Sequence, residues 1–312
     1  MISRMQRFPF TLFRTAIVAL VLAIAVVCVG GMELCETTVH LPPNELEPAD
    51  QAAAHRIAAA FGASLEEIQI TAADGTALKG WFFRSAKAGA EPVILLHGQG
   101  DNRRGMRGIA AFLLRAGYQV LVPDVRGHGE NGGMVASYGF REVGDVTEWV
   151  RWLDRNAPSK CVYGLGISMG AAILIQSLPD SPKICAAVAE SPYSSFHEIG
   201  LRHASIVLGV TGLLPQAFVA AGFTYARLRY GIDFNRVSPE EAITRTTTPV
   251  LLIHGTADSN IPIAESRAIL QHRPQGTELW EIADARHVQC YAKAGTQYER
   301  RVLAWFDKGK RN

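Results

Sequence analysis

Six short apolar runs, separated by amphipathic segments, constrain the fold of this 312-residue chain more than any other feature of its sequence. Strands that are buried on both faces have continuous apolar sequences, and their alternation with helices is typical of a parallel sheet wrapped by helices. The sequence therefore predicts an α/β fold with a mostly parallel sheet and helices on both faces. The apolar runs are residues 92–96, 119–123, 161–165, 184–189, 249–253 and 278–282. The helices are predicted at residues 106–116, 140–155, 169–178, 263–271 and 297–307.

A predicted β-hairpin precedes this series and an insertion interrupts it. Residues 68–71 and 78–83 have strand composition and flank Asp74-Gly75, a dipeptide that favours a tight turn. Residues 193–242 contain no predicted strand, and their apolar part predicts helices over the sheet. A second membrane span is the alternative for that part, but several glycines and a proline interrupt it. We therefore predict one α/β domain at residues 49–312, with a helical insertion at about 193–242.

The N-terminal region has the charge and hydropathy pattern of a membrane-directed segment. Residues 1–14 contain three arginines and no acidic residue, and the 18 residues from 15 to 32 form an apolar run. At about 1.5 Å per residue, this run approaches the roughly 30 Å of a bilayer core. An uncleaved signal anchor is favoured, because no Ala-x-Ala site follows the run. A signal peptide with small residues near Gly30 is the alternative.

Both interpretations give the chain the same orientation. Basic residues ahead of an apolar segment stay on the cytoplasmic side, so the rest of the chain is expected outside the inner face of the membrane. The domain is then membrane-anchored and extracytoplasmic, or it is secreted if the N-terminal segment is cleaved. Residues 33–48, which include Pro42 and Pro43, are predicted to be a linker.

Charge and cysteine content exclude several classes of protein. The 31 basic and 29 acidic residues give a net charge of +2, whereas a nucleic-acid partner normally requires a clear basic excess. The domain has three cysteines, Cys161, Cys185 and Cys290, and no C-x-x-C pair, so a zinc ribbon is not supported. The first two each begin an apolar run, which favours packed core thiols over a disulfide.

Residues 166–170 form a G-x-S-x-G motif, Gly-Ile-Ser-Met-Gly. The motif lies between the predicted strand at 161–165 and the helix that starts at Met169, which is the strand–turn–helix context of a nucleophile elbow. Glycines on both sides of Ser168 relieve Cβ clashes in such a tight turn. A dinucleotide-binding loop is not supported, because Met169 occupies its third glycine position. We therefore predict Ser168 as a nucleophile.

A serine nucleophile needs a histidine base and an acid that orients the histidine. In folds with a nucleophile elbow, these residues follow in the order Ser, Asp or Glu, and His. Asp258 comes after the predicted strand at 249–253, and His287 comes after the last predicted strand. We therefore predict Asp258 as the acid and His287 as the base. Asp284 and Glu190 are rival candidates for the acid.

Backbone N–H groups of two loops are expected to form an oxyanion hole. The N–H of Met169, next to the predicted nucleophile, is one donor. The loop after the strand at 92–96 reads His97-Gly98-Gln99-Gly100, and the N–H of Gln99 is predicted as the second donor. His97 is predicted to brace this loop and not to take part in catalysis.

Further polar residues follow the predicted strand at 119–123, in the segment Asp124-Val125-Arg126-Gly127-His128-Gly129. With His97, the residues Asp124 and His128 suggest a metal site, but they lack the helical spacing that is typical of metal ligands. We therefore predict neither a metal nor a cofactor.

Together, these motifs resemble those of a known superfamily. The chain is similar to α/β-hydrolases of the serine aminopeptidase and monoacylglycerol-lipase-like branch, and to membrane-tethered hydrolases related to prolyl oligopeptidase catalytic domains. The resemblance spans roughly residues 66–308 and implies that the insertion at 193–242 is a lid over the active site. It rests on His97-Gly98-Gln99-Gly100, Asp124-x-Arg126-Gly127-His128-Gly129, Gly166-x-Ser168-x-Gly170, Asp258 and His287.

Substrate is the property that the resemblance leaves open, because esterases, lipases, thioesterases and peptidases share these motifs. The leading hypothesis is a serine hydrolase that cleaves a small acyl ester through an acyl-enzyme intermediate, since an apolar insertion suits an acyl chain. A serine peptidase or amidase that acts on short peptides is the alternative. A non-catalytic, membrane-tethered binding protein is a more remote alternative, because such proteins usually lose one of the three residues. The oligomeric state is not indicated.

Overall fold

The computed structural model describes residues 10–42, 44–131, 135–273 and 275–310, with side chains from residue 13 onward. Most of the basic segment predicted at residues 1–14 lies outside these ranges. The chain divides into two compact units. The sheet unit comprises residues 39–199 and 234–312, and the helical unit comprises residues up to 38 and 200–233.

The sheet unit is built on an eight-stranded sheet with the strand order β1-β2-β4-β3-β5-β6-β7-β8. β2 pairs antiparallel with β1 and β4, and the other neighbouring strands are parallel. This arrangement confirms the predicted α/β class. The strands are β1 (Ala63–Thr71), β2 (Ala77–Ser85), β3 (Pro92–Leu96), β4 (Gln119–Pro123), β5 (Val162–Ile167), β6 (Ile184–Glu190), β7 (Val250–Gly255) and β8 (Thr277–Ile282).

Helices connect most of these strands, as the alternation in the sequence predicts. α1 and α7 lie in the helical unit, α6 crosses the boundary at residue 200, and the others lie in the sheet unit. The helices are α1 (Phe10–Val39), α2 (Pro48–Ala60), α3 (Arg107–Arg115), α4 (Glu142–Asn156), α5 (Met169–Ser177), α6 (Phe196–Leu208), α7 (Leu213–Tyr230), α8 (Pro239–Ala242), α9 (Ile263–His272), α10 (Cys290–Ala294) and α11 (Thr296–Lys310).

The hairpin of β1 and β2 turns at the predicted Asp74-Gly75 pair. The N–H of Thr76 donates to Asp74 Oδ1 at 3.1 Å, and Gly75 has a φ of 85°, which glycine adopts without strain. β1 begins at Ala63 and not at residue 68, because this edge strand buries only part of its side chains and has no continuous apolar run.

The core lies on both faces of the sheet and includes the two terminal helices of the sheet unit. Ala54 and Ala58 of α2 are buried in the same apolar cluster as the side chains of β2 and α3. At the other end of the unit, Gly309 of α11 lies against β6, where an added Cβ would come within 2.6 Å of Ala186 Cβ. The parallel strands all end at the same edge of the sheet, so the loops that follow them lie together at that edge.

Cys161 and Cys185 form a disulfide, so the predicted packed thiols are wrong. The two cysteines sit at the starts of the neighbouring parallel strands β5 and β6, with their Cα atoms 5.5 Å apart. The sequence shows that each begins an apolar run, but only the pairing of these strands brings the two side chains together. Cys290 is a free, buried thiol.

The helical unit contains α1, α7 and most of α6. α1 continues to Val39, so the first part of the predicted linker at 33–48 is helical, because residues 33–39 contain neither glycine nor proline. Residues Phe13–Val39 form a helix that is long and apolar enough to cross a membrane. The described residues between 193 and 242 form helices and no strand, as predicted for the insertion.

Candidate active site

Ser168 lies in the tight turn between β5 and α5. Its φ of 52° and ψ of −120° are costly for a residue with a Cβ, and such conformations cluster at functional sites. The flanking glycines permit the turn. A Cβ on Gly166 would lie 2.4 Å from the carbonyl oxygen of Gly170, and a Cβ on Gly170 would lie 2.3 Å from the carbonyl oxygen of Leu96. Backbone contacts therefore require both glycines of the motif.

A chain of two hydrogen bonds joins the side chains of Ser168, His287 and Asp258. His287 Nδ1 lies 2.7 Å from Asp258 Oδ2, and His287 Nε2 lies 2.8 Å from Ser168 Oγ. An ionised carboxylate only accepts, so Nδ1 donates to Asp258 and the Ser168 hydroxyl donates to Nε2 of the neutral ring. The Ser168 residue is 8% exposed and the His287 side chain 19% exposed. This geometry would allow Nε2 to accept the proton of the serine.

Asp258 is held as an anion in a buried loop after β7. Its Oδ1 accepts from the N–H groups of Asn260 and Ile261, each at 3.0 Å. Burial alone raises the pKa of Asp258, but hydrogen bonds from His254, His287 and the Ile261 N–H outweigh burial and lower this pKa below its ordinary value. The fixed carboxylate thus selects one tautomer of His287.

His254, which sequence reasoning did not single out, supports this acid. Its Nε2 lies 2.8 Å from the carbonyl oxygen of Ile261 and 3.4 Å from Asp258 Oδ2. Its Nδ1 lies 2.7 Å from Ser266 Oγ. Because the carbonyl requires a donor, Nε2 carries the proton and also faces the carboxylate. The sequence signal was its position at the end of β7, four residues before the predicted acid Asp258.

The structure gives the two rival acids other hydrogen-bond partners than the predicted base. Asp284 is exposed in the loop after β8, where its N–H donates to Thr256 Oγ1 at 3.0 Å. Glu190, at the end of β6, is buried, and its carboxylate accepts from the N–H of Cys290 and the hydroxyl of Tyr298 at 3.0 and 2.9 Å. Asp258 is therefore the acid that hydrogen-bonds to the His287 ring.

Glu190 has a different place in the site. It anchors the N-terminus of α10, three residues after His287, and joins it to α11 through Tyr298. Burial raises the pKa of Glu190 against the lowering effect of these hydrogen bonds. Val288, beside His287, has a φ of 51°, so the histidine loop is strained and needs such support. The sequence signal for this supporting role was the position of Glu190, an acidic residue at the end of an apolar strand.

The loop after β3 runs directly beside Ser168. A Cβ on Gly98 would lie 3.3 Å from the Cβ of Ser168 and 3.9 Å from its Oγ, so the backbone at Gly98 approaches the serine closely. The N–H of Asp101 donates to the Gly98 carbonyl at 3.3 Å and closes this turn. Met169 is the first residue of α5, where the N–H has no acceptor within the helix. The use of the Gln99 and Met169 N–H groups as oxyanion donors stays a prediction.

His97 is buried behind this loop and holds it. Its Nε2 accepts from the N–H of Val125 at 2.9 Å, which leaves Nδ1 to donate to the carbonyl of Gly98 at 2.8 Å. Burial lowers the pKa of His97 to about 4, so its ring is neutral near pH 7. His97 thus contacts the loop backbone and not the reacting side chains.

Asp124 and His128 are also occupied by contacts within the protein. Asp124 Oδ2 lies 2.7 Å from Arg103 Nη1, and both side chains are buried. His128 Nδ1 lies 3.0 Å from the carbonyl oxygen of Arg126, whose own guanidinium pairs with the buried Asp145. Among the described residues, no group of three or more His, Cys, Asp and Glu side chains has the geometry of a metal site.

Comparison with known sequences finds a family of hydrolases that is similar to the middle of the chain. Residues 89–229 match the family described as serine aminopeptidase, S33. The uncharacterized protein YqkD of Bacillus subtilis is 29% identical over 220 residues, which are 69% of this chain and 70% of YqkD. A thermostable monoacylglycerol lipase from Bacillus sp. strain H-257 is 30% identical over 104 residues, 33% of this chain and 41% of the lipase.

Solved structures give the same result over a longer part of the chain. The esterase Pf2001 of Pyrococcus furiosus superposes with a TM-score of 0.68 at 26% identity, covering 87% of this chain and 98% of the esterase. The chain therefore has the α/β-hydrolase fold, and its similarity to the serine aminopeptidase S33 family at residues 89–229 and to a solved esterase supports a hydrolase.

Proposed function

We propose that the protein is a serine hydrolase that cleaves carboxylic acyl esters through an acyl-enzyme intermediate. The observation that carries this proposal is the hydrogen-bonded chain from Ser168 through His287 to Asp258. Its distances, order along the chain and setting at an elbow are those of a nucleophile, a base and an orienting acid.

In the acylation step, Ser168 Oγ attacks the ester carbonyl carbon while its proton passes to His287 Nε2. The C–O bond to the alcohol then breaks, and His287 returns the proton to the leaving alkoxide. Water attacks the acyl-enzyme in the same way, with His287 again as base, and releases the acid and free Ser168. Asp258 stays ionised throughout and stabilises the protonated imidazole.

The negative charge on the carbonyl oxygen in each tetrahedral intermediate requires hydrogen-bond donors. We assign this role to the backbone N–H groups of Gln99 and Met169, which belong to the two backbone segments that flank Ser168. Removal of one such donor typically costs about 2.7–4 kcal/mol of transition-state stabilisation. The N-terminus of α5 adds a favourable dipole.

An ester is favoured over a peptide by the chemistry around the serine. A peptidase that binds a free amino terminus needs an acidic side chain to pair with the ammonium group. Asp258 and Glu190, the buried acids beside His287, are both committed to internal hydrogen bonds. The esterase and the lipase among the similar proteins agree with this preference.

The test is activity-based labelling of the full chain with a fluorophosphonate, followed by a panel of p-nitrophenyl esters and aminoacyl p-nitroanilides. Ser168→Ala is expected to abolish labelling and to lower ester turnover by about 10⁶-fold. Ser177→Ala, in the same helix, removes a buried hydroxyl that bonds to the Ile173 carbonyl and is expected to leave both unchanged. Undiminished ester turnover in Ser168→Ala refutes the proposal. Faster cleavage of the anilides than of the esters would show that the activity is that of a peptidase and not of an esterase.

We further propose that α1 remains attached as an anchor and that the sheet unit lies outside the cytoplasm. Two observations support this topology. The disulfide Cys161–Cys185 belongs in an oxidising compartment. Gly30 and Gly31, near which a signal peptidase would cut, pack within α1 against α7 at Phe218 and Gly222. Detection of the mature N-terminus by mass spectrometry tests the anchor, since a start near residue 31 contradicts it.

A further inference from the structure

The hairpin formed by α6 and α7 exposes an apolar tip. Its residues 204–226 contain no charged side chain. Glycines with positive φ, Gly209 and Gly212, make the turn between the helices. Large apolar side chains around this turn are exposed, namely Ile206, Val207, Val210, Leu213 and Leu214. Exposed apolar patches of this kind mark an interaction surface.

α7 runs parallel to α1 and in close contact with it. A Cβ on Gly31 would lie 2.8 Å from the backbone nitrogen of Gly222, so the two helices touch at their backbones. Towards the N-termini, a Cβ on Gly30 would meet the ring of Phe218. Towards the C-termini, Tyr225 lies beside Glu36. Residue numbers therefore increase in the same direction along both helices, which fixes the level of each α7 residue relative to α1.

Polar groups gather at one end of this pair of helices. The hydroxyls of Tyr225 and Tyr230 donate to Glu36 Oε1 at 2.6 and 2.5 Å. Arg227 and Arg229 are exposed on the same last turns of α7. Tyrosines and snorkelling arginines are enriched at the boundary between a membrane and water. Glu36 thus marks the level of this boundary on α1.

We propose that the α6–α7 hairpin is embedded, beside α1, in the hydrocarbon of the leaflet that contains the C-terminal half of α1. Leu213 lies 12 residues before Tyr225, or about 18 Å along the helix axis. A bilayer core is roughly 30 Å thick, so the tip reaches about the middle of the core and does not cross the membrane. The family resemblance implies that this insertion is a lid over the active site. In this arrangement the same insertion contacts lipid.

The lipid chain is favoured as the occupant because the apolar surface is continuous. Most side chains of α1 from Phe13 to Val29 are exposed around the helix, and the exposed tip of the hairpin adjoins this surface through α7. The turn keeps part of its backbone paired, with the Gly209 N–H donating to Ile206 and the Gln216 N–H to Gly212. Such pairing reduces the cost of peptide groups in hydrocarbon.

Two leucines on α7 provide a matched pair for the test. Leu213 at the tip and Leu228 at the polar end are 83% and 82% exposed, and they lie about 22 Å apart along one helix. The full chain with Leu213→Trp or Leu228→Trp is reconstituted in phosphatidylcholine vesicles that carry bromine either at mid-chain or near the headgroup. Fluorescence of the wild-type chain, with its native tryptophans, is subtracted.

For Leu213→Trp, bromine at mid-chain is expected to quench more fluorescence than bromine near the headgroup. For Leu228→Trp, bromine near the headgroup or aqueous iodide is expected to quench more than bromine at mid-chain. Fluorophosphonate labelling at the wild-type rate shows that each variant is folded. Quenching of the tip tryptophan by iodide would place it in water and overturn the proposal. Protection from both bromine and iodide would indicate that a second copy or another protein covers the tip, and would overturn it as well.

Discussion

The contact between Gly170 and β3 gives the sharpest test of how the elbow positions the nucleophile. Gly170→Ala adds one methyl group to the second residue of α5. That methyl would lie 2.3 Å from the carbonyl oxygen of Leu96 and 2.5 Å from that of His97. Both neighbours are backbone atoms, so no side-chain rotation relieves the contact, and the start of α5 must move away from β3.

The expected magnitude follows from this forced movement. Overpacking in a core costs about 1–3 kcal/mol, and the rigid neighbours here favour the upper end of that range. Ser168 precedes α5 directly, so it moves with the helix relative to His287 and to the loop at Gly98. A displacement of about 1 Å costs roughly 100-fold in rate at a site that depends on orientation.

Gly144→Ala is the matched control. Gly144 lies in α4, where an added Cβ meets nothing within 4 Å. Alanine there is expected to be neutral or to stabilise by up to about 1 kcal/mol. Urea unfolding and the rate of fluorophosphonate labelling are measured for both variants. Wild-type stability and labelling in Gly170→Ala would refute this account of the elbow. A comparable loss of stability and labelling in Gly144→Ala would show that any glycine-to-alanine substitution in a helix has this effect.

Three further predictions concern the acid, the disulfide and two buried histidines. Asp258→Asn is expected to lower ester turnover by about 10⁴-fold, because an amide no longer selects the tautomer of His287, whereas Asp284→Asn is expected to be neutral; equal effects in a steady-state assay would contradict the assignment. Replacement of both cysteines of the β5–β6 disulfide by serine is expected to lower the free energy of unfolding by about 3 kcal/mol, from the sequence separation of 24, and unchanged urea midpoints would refute this value. Burial lowers the pKa values of His97 and His128 from 6.5 to about 4. Between these two pH values the unfolded chain therefore binds more protons than the folded chain, so the free energy of unfolding falls as the pH drops from 6.5 towards 4. At pH 5 the loss is about 2 kcal/mol for each histidine, and His128→Phe is expected to reduce the slope of unfolding free energy against pH; an unaltered slope would contradict the burial argument.

Much of the sheet unit was predictable from local sequence. β3 and β4 have the predicted bounds, because strands buried on both faces have continuous apolar sequences and both of these strands are buried at every residue. The hairpin at Asp74-Gly75 was predictable because its turn chemistry is contained in adjacent residues. β1 was only partly predicted, since an edge strand mixes polar and apolar residues.

The site was predictable to the extent that topology constrains it. Ser168, Asp258 and His287 each follow a predicted strand, and parallel strands end at one edge of the sheet, so their proximity follows from the fold class. Which carboxylate faces the histidine does not follow. Glu190 ends β6 and Asp258 lies in the loop after β7, and only the paths of the loops bring Asp258 to Nδ1 of His287 and the backbone of α10 to Glu190.

The sequence by itself determined the succession of strands along the chain, the strand–turn–helix at Ser168, the helical nature of the insertion and the apolar N-terminal run. Each of these features depends on residues that are neighbours along the chain. Tertiary structure decided the contacts between distant segments. It joined Cys161 to Cys185 across two strands, and it set α7 against α1 so that Gly31 meets Gly222. The physical reason is that hydrogen bonds, disulfides and close helix packing depend on distances of a few ångströms, and these are set by the folded path of the whole chain.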